Sequence, residues 1–169
     1  PPFREPAMLQ AQLWLAEMRH GAAGAVAKEA DPDAVFVYAQ MERLCPEPDM
    51  NGILDTLQRR AGLVREWQTF LNQYPVLLCP VSGELPFPDQ LDVESPEAFD
   101  RAMEAQLTQV GLPLMSLPGL TVSTGMTEGN IPVGVQLIGG RYREDTLLAA
   151  GEAIEAGGVP ALPVDPATS

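Results

Sequence analysis

An α/β fold, with a helical first half and a mixed β-sheet layered with helices, is the class this sequence predicts, and three observations predict it. A helical period runs through the first part of the chain and is clearest at Ile53, Leu57, Ala61, Val64, Trp67 and Leu71, one face of a 3.6-residue repeat. A short apolar run at 76–79 stands between Pro75 and Pro80 and is too brief for a helix. The last third then sets apolar runs at 114–117 and 133–138 among Gly-, Thr- and Ser-rich turns before a final helical stripe. The chain has 169 residues with 46% hydrophobic content, enough for one domain with a real core.

Each element has its own signal. Residues 6–28 carry Leu9, Leu13 and Ala16 on a helical stripe, with Gly21 and Gly24 as weak points. Asp31-Pro32-Asp33 marks a helix start: Asp31 can cap, Pro32 suits the first turn, and Asp33 meets the positive end of the helix dipole. Pro46 and Pro48 stop that helix near Cys45. The run at 76–79 predicts a strand buried on both faces. A Pro- and acid-rich loop covers 81–94, after which Ser95-Pro96-Glu97 restarts a helix with Phe99, Met103, Leu107 and Val110 on its buried side and Gly111 at its stop. Glu128-Gly129-Asn130 reads as a reversal, 133–138 as a strand, and Leu147, Leu148, Gly151 and Ile154 as one side of the last helix. The predicted division is one domain over 1–157 and a proline-rich tail over 158–169.

Charge and composition exclude several classes. Ten Lys plus Arg against 23 Asp plus Glu leave a formal charge of −13, which repels phosphate backbones and anionic lipid, so neither nucleic acid nor membrane is an expected partner. The longest uncharged stretch, 105–127, is broken by Pro113, Pro118 and three glycines and does not read as a membrane span. No secretory signal opens the chain, and two cysteines, Cys45 and Cys79, form neither a disulfide framework nor a zinc pattern. Buried reduced thiols and a cytoplasmic location are expected. No metal and no cofactor is expected: Asp89, Asp92 and Glu94 lack calcium-loop spacing, and Gly139-Gly140 lacks the third glycine of a dinucleotide site and the Gly-Lys of a P-loop.

The inventory for catalysis is short. There is one Lys (Lys28), one His (His20) and five serines: Ser82, Ser95, Ser116, Ser123 and Ser169. No serine occupies a G-x-S-x-G elbow, His20 falls in a helix near Gly21, and Lys28 stands beside Glu29. Gln136 lies inside an apolar strand, where a buried amide is expected to be hydrogen-bonded structurally rather than kept for a ligand. The residues alone therefore give an acidic α/β domain without an evident active site.

Motifs add to that. Pro75-Val-Leu-Leu-Cys-Pro80, then Gly111-Leu-Pro-Leu-Met-Ser-Leu-Pro118, then Gly129-Asn-Ile-Pro-Val-Gly-Val-Gln-Leu-Ile-Gly139 and Asp145-Thr-Leu-Leu-Ala-Ala150 occur in an order that resembles the C-terminal part of the amidase signature family, over about residues 63–156. The resemblance implies a partial amidase-signature fold and, for the parent enzyme, hydrolysis of linear amides through a Ser, a cis-configured Ser and a Lys. Those three come from a Gly/Ser-rich stretch upstream of the matched region. No Gly-Gly-Ser-Ser run follows Lys28, so no catalytic residue is assigned in this chain.

In the family the loop after the first matched strand borders the substrate pocket, which makes Pro80, Val81, Ser82 and Gly83 the expected pocket edge. Opening on Pro1-Pro2 rather than Met, the sequence reads as a piece of something longer. Its expected partner is the N-terminal half of the same enzyme, or a second copy through an open sheet edge. The rival reading is a non-catalytic degenerate homologue that serves as a binding or structural domain.

Overall fold

The structure is a computed structural model that describes residues 1–127 and 131–158. Four helices come first: α1 (Arg4–Gly21), α2 (Ala23–Glu29), α3 (Pro32–Leu44) and α4 (Met50–Gln73). Strand β1 (Val76–Pro80) follows, then α5 (Leu91–Glu94), α6 (Pro96–Ala105) and the single-turn helices α7 (Leu107–Val110) and α8 (Leu112–Met115). Strands β2 (Gly119–Met126) and β3 (Pro132–Gly139) and helix α9 (Glu144–Glu155) complete the described chain. Three helix starts are fixed by side-chain caps. Asp31 accepts from the Ala34 N–H at 2.8 Å, Asp49 from Gly52 at 2.8 Å and Ser95 from Ala98 at 3.1 Å.

The strands lie in the order β1-β3-β2, and both pairings are antiparallel. Side chains alternate across a strand, so the register sorts them onto two faces. Leu78, Leu137, Leu120, Val122 and Val135 share one face, and α9 covers all of these but the edge residue Leu78 with Leu147, Ala150 and Ile154. Leu77, Cys79 and Ile138 share the other, against Leu63, Trp67 and Leu71 of α4 and Leu112, Leu114 and Met115 of α8, with Leu9 and Leu13 of α1 beside them. Gly134 lets two strands close up: a Cβ there would stand 2.6 Å from the Val122 carbonyl oxygen.

This is the layered α/β arrangement that the sequence predicts, with a small sheet that is antiparallel in every described pairing rather than mixed. Several elements differ in detail. The run 114–117 is not a strand, because the chain turns as α8 and leaves Ser116 in the left-handed region at φ 53°; the strand begins at Gly119. Strand β1 lies at a sheet edge, and Leu78 is 56% exposed instead of buried. The first predicted helix divides at Ala22, between the two flagged glycines. The helix predicted from Ser95 to Gly111 breaks at Gln106. Leu148 is 58% exposed and does not share the buried side of α9. The predicted reversal at Glu128-Gly129-Asn130 lies outside the described residues, as does the predicted tail from residue 159 onward.

Candidate functional site

The break at Gln106 shapes the site. Carbonyls at a helix end lack intrahelical partners and must find others. Here the Ala105 oxygen accepts the Gly83 N–H at 2.7 Å, and the Thr108 oxygen accepts Gln136 Nε2 at 2.9 Å. In return, Thr108 Oγ1 and Gln109 Nε2 each donate to the Val81 oxygen at 2.8 Å. The loop leaving β1 is thereby hung on the α6–α7 corner, and the corner is hung on the sheet. Gln136 is the connecting residue, a buried amide whose Nε2 also lies 3.7 Å from Cys79 Sγ. Its role is structural, as expected for a polar side chain inside an apolar strand.

Between this loop and the sheet lies a cavity of about 670 Å³. That is ample for a small organic molecule. Residues 80–87 form one wall, Gln106 and Gln109 the corner, Thr121 and Ser123 the side of β2, and residues 132–134 the start of β3. All four residues of the expected pocket edge, Pro80, Val81, Ser82 and Gly83, stand together in this lining. The lining is mainly apolar, with Leu85, Pro86, Phe87 and Val133, and its polar groups are hydroxyls and amides from Ser82, Thr121, Ser123, Gln106 and Gln109. Ser82 Oγ accepts the Glu84 N–H at 3.3 Å, which tightens the loop at that point.

Thr121, Ser123 and Gln106 were not legible as site residues. The signal that could have found them is alternation: Thr121 and Ser123 flank buried Val122 and so point to the face opposite α9. Misplacing the strand at 114–117 hides that pattern.

Among the described residues lining the cavity, one is charged. Glu84 is held by Arg101, whose Nε lies 2.9 Å from Oε2 and 3.1 Å from Oε1, with Nη2 at 2.5 Å from Oε2. The hydrogen-bonding guanidinium holds the Glu84 carboxyl below its ordinary pKa, and the Glu84 carboxylate in turn pushes the pKa of Arg101 up.

The remaining titratable and nucleophilic groups among the described residues lie apart from this lining. His20 is exposed at the end of α1, and Lys28 is exposed in the last turn of α2. Ser116 accepts from Arg60 Nη2 at 3.2 Å, and Ser95 is a helix cap. Cys45 and Cys79 are buried free thiols, both pushed to higher pKa by desolvation. Among the described residues no group of three or more His, Cys, Asp or Glu is placed to hold a metal ion. No described helix is long and apolar enough to cross a membrane.

Comparison with known proteins gives consistent results. The profile of the family described as Amidase matches residues 38–148. Every residue that lines the cavity falls inside that stretch. An indoleacetamide hydrolase of Bradyrhizobium japonicum is 36% identical over 111 residues, covering 63% of this chain and 23% of its own length. A glutamyl-tRNA(Gln) amidotransferase subunit from Streptococcus pneumoniae is 31% identical over 112 residues, covering 63% of this chain and 22% of its own. The match thus spans less than a quarter of these relatives. Among solved structures, the allophanate hydrolase of Kluyveromyces lactis superposes with a TM-score of 0.69 at 19% identity, over 95% of this chain and 27% of that one. The corresponding glutamyl-tRNA(Gln) amidotransferase subunit from Thermotoga maritima gives 0.59 at 20% identity, over 94% and 34%. At such identities the superpositions show a shared fold.

Proposed function

Because this chain belongs to the amidase family, we propose that it is the C-terminal portion of an enzyme that hydrolyses linear carbon–nitrogen bonds, and that its part is to build one wall of the substrate pocket. The observation that carries this reading is the cavity: its lining lies wholly inside the family match, and it gathers the four expected edge residues around an apolar interior. Residues 1–157 act as one unit in this role.

The reaction implied by the family resemblance begins when a Lys-activated Ser attacks the amide carbonyl. The C–N bond breaks, the amine leaves with a proton, and water then releases the acyl group from the Ser. Backbone N–H groups stabilise the oxyanion. The Lys, the cis-configured Ser and the nucleophilic Ser are supplied from outside these 169 residues, so the chain alone is inactive. What this chain supplies is a shaped, mainly apolar surface that receives the non-reacting body of the amide and holds its carbonyl still.

The partner is the N-terminal half of the same kind of enzyme, in the cytoplasm. The exposed Leu78 on β1, whose outer edge pairs with no strand among the described residues, supports a docking role for that strand. Ammonia release from a panel of primary amides tests the proposal. The chain alone is expected to show none. The chain co-produced with the N-terminal part of an amidase that carries the Lys and the Gly/Ser-rich run is expected to turn over. Hydrolysis by the chain alone, abolished by Ser82→Ala, Ser116→Ala or Ser123→Ala, overturns it.

A further inference from the structure

The cavity wall is electrically odd in one respect. Its one charged residue among the described lining, Glu84, stands beside Leu85, Pro86 and Phe87, yet both of its carboxylate oxygens are occupied by a single guanidinium from α6. Arg101 itself is not part of the lining. An unpaired carboxylate at the rim of a pocket attracts cations and repels anions, by an amount that solvent limits at an exposed site. A two-pronged Arg–carboxylate pair cancels that field and fixes the geometry of both partners.

We propose that Arg101 is a specificity-determining residue of this cavity: by clamping Glu84 it keeps the wall neutral, so that the site takes uncharged amides with an aromatic or aliphatic body and turns away those bearing an ammonium group. The proposal rests on the reading of the cavity as a substrate site and adds the chemistry of the substrate. Phe87, Leu85 and Val133 supply apolar contact, and Gln106, Thr121 and Ser123 supply polar groups suited to a neutral amide. Glu94, the second carboxylate that raises the Arg101 pKa, acts on it only through space, without a hydrogen bond.

Three probes of one size decide the matter: phenylacetamide, phenylacetate and phenethylammonium, titrated into the full chain and followed through the backbone ¹H–¹⁵N signals of residues 81–87. The wild-type chain should bind phenylacetamide ahead of both ions. In Arg101→Gln the phenethylammonium Kd should fall by about fivefold, the reach of one exposed charge interaction, while that of phenylacetamide changes by less than about twofold. The gain should vanish in the Arg101→Gln/Glu84→Gln double variant, and Arg101→Lys should keep the wild-type order. A gain that survives in the double variant, or an unchanged order in Arg101→Gln with the loop signals still shifting, overturns the role of Arg101 and leaves the cavity as a binding site. If none of the three probes moves the loop signals, both the inference and the pocket behind it fall. The amide-hydrolysis assay stands apart from these titrations.

Discussion

The core beneath the sheet and the lip of the cavity are neighbours held together by different physics. Around Trp67 the protein relies on apolar area: Leu63, Trp67, Met115 and Ile138 are all fully buried. The Trp67 ring meets Phe3 edge-on at 5.1 Å and Phe70 at 6.3 Å. Around Val81 the chain is half-buried or exposed, and it is held by three hydrogen bonds to the α6–α7 corner and one ion pair. Burial is non-directional and sets how stable the fold is. Hydrogen bonds are directional and set where a loop lies. Damage in the first region should therefore appear as lost stability, and damage in the second as a displaced site in a protein that still folds.

The largest expected effect is in the core. Trp67→Ala removes the largest fully buried side chain and should cost about 3–5 kcal/mol, a large share of the ~5–15 kcal/mol that typical domains possess. Urea unfolding followed by circular dichroism measures it. Trp67→Phe should cost clearly less, because the indole N–H has no hydrogen-bond partner among the described residues and its loss removes a buried donor at no expense. Equal costs for the two variants would mean that the region is loosely packed, and the contrast with the lip would weaken.

Next comes the residue that joins the two regions. Gln136→Leu keeps the volume but takes the donor away from the Thr108 oxygen, an effect of about 1–3 kcal/mol. Its distinguishing mark is positional: the amide signals of residues 81–84 should shift even though no side chain in that loop has changed. Thr108→Val is milder. The Val81 oxygen keeps Gln109 as a donor, so stability should fall by ~1 kcal/mol or less while the same loop signals still move. If the two variants lowered stability without moving the loop, the lip would be part of the core rather than a region of its own.

The sequence was legible wherever a local rule acts alone. Asp31-Pro32 and Ser95-Pro96 start helices because capping and proline geometry are decided within three or four residues. The family motif placed β3 and α9, and the four residues it marks as a pocket edge, Pro80, Val81, Ser82 and Gly83, line the cavity. Patterns that depend on a covering layer were misread. The helical stripe of α4 is continuous from Ile53 to Leu71, yet only its later part is covered, by α1, α8 and the sheet. Earlier in α4 Thr56 is buried while Leu57 is 45% and Leu54 56% exposed. Leu78 failed for the same reason, since a strand reads as buried on both faces only if something covers both. The run 114–117 failed because Pro113 fits the first turn of a helix and Ser116 takes a left-handed backbone, neither of which hydrophobicity reports. The Glu84–Arg101 clamp joins residues seventeen positions apart, on two elements whose relative placement no periodicity encodes.

The smallest effect is also the sharpest test of independence. Arg101 lowers the pKa of Glu84 in the folded state, so the pair contributes stability above the unfolded carboxylate value, ~4.3, and loses it only as pH falls through the lower native value. Both side chains are more than a third exposed, so the energy is small and salt should reduce it further, the screening length shrinking to about 3 Å at 1 M. A titration from neutral pH downward, following the Glu84 carboxyl together with the Trp67 indole, should show the carboxyl titrating below the usual range while the indole signal holds. If the two signals moved at one pH, the lip would open only when the core melts, and the clamp could not tune the cavity without disturbing the fold. Separate transitions would mean that a charge on the wall can be unmasked in an otherwise native protein, which is the condition the Arg101 variants require.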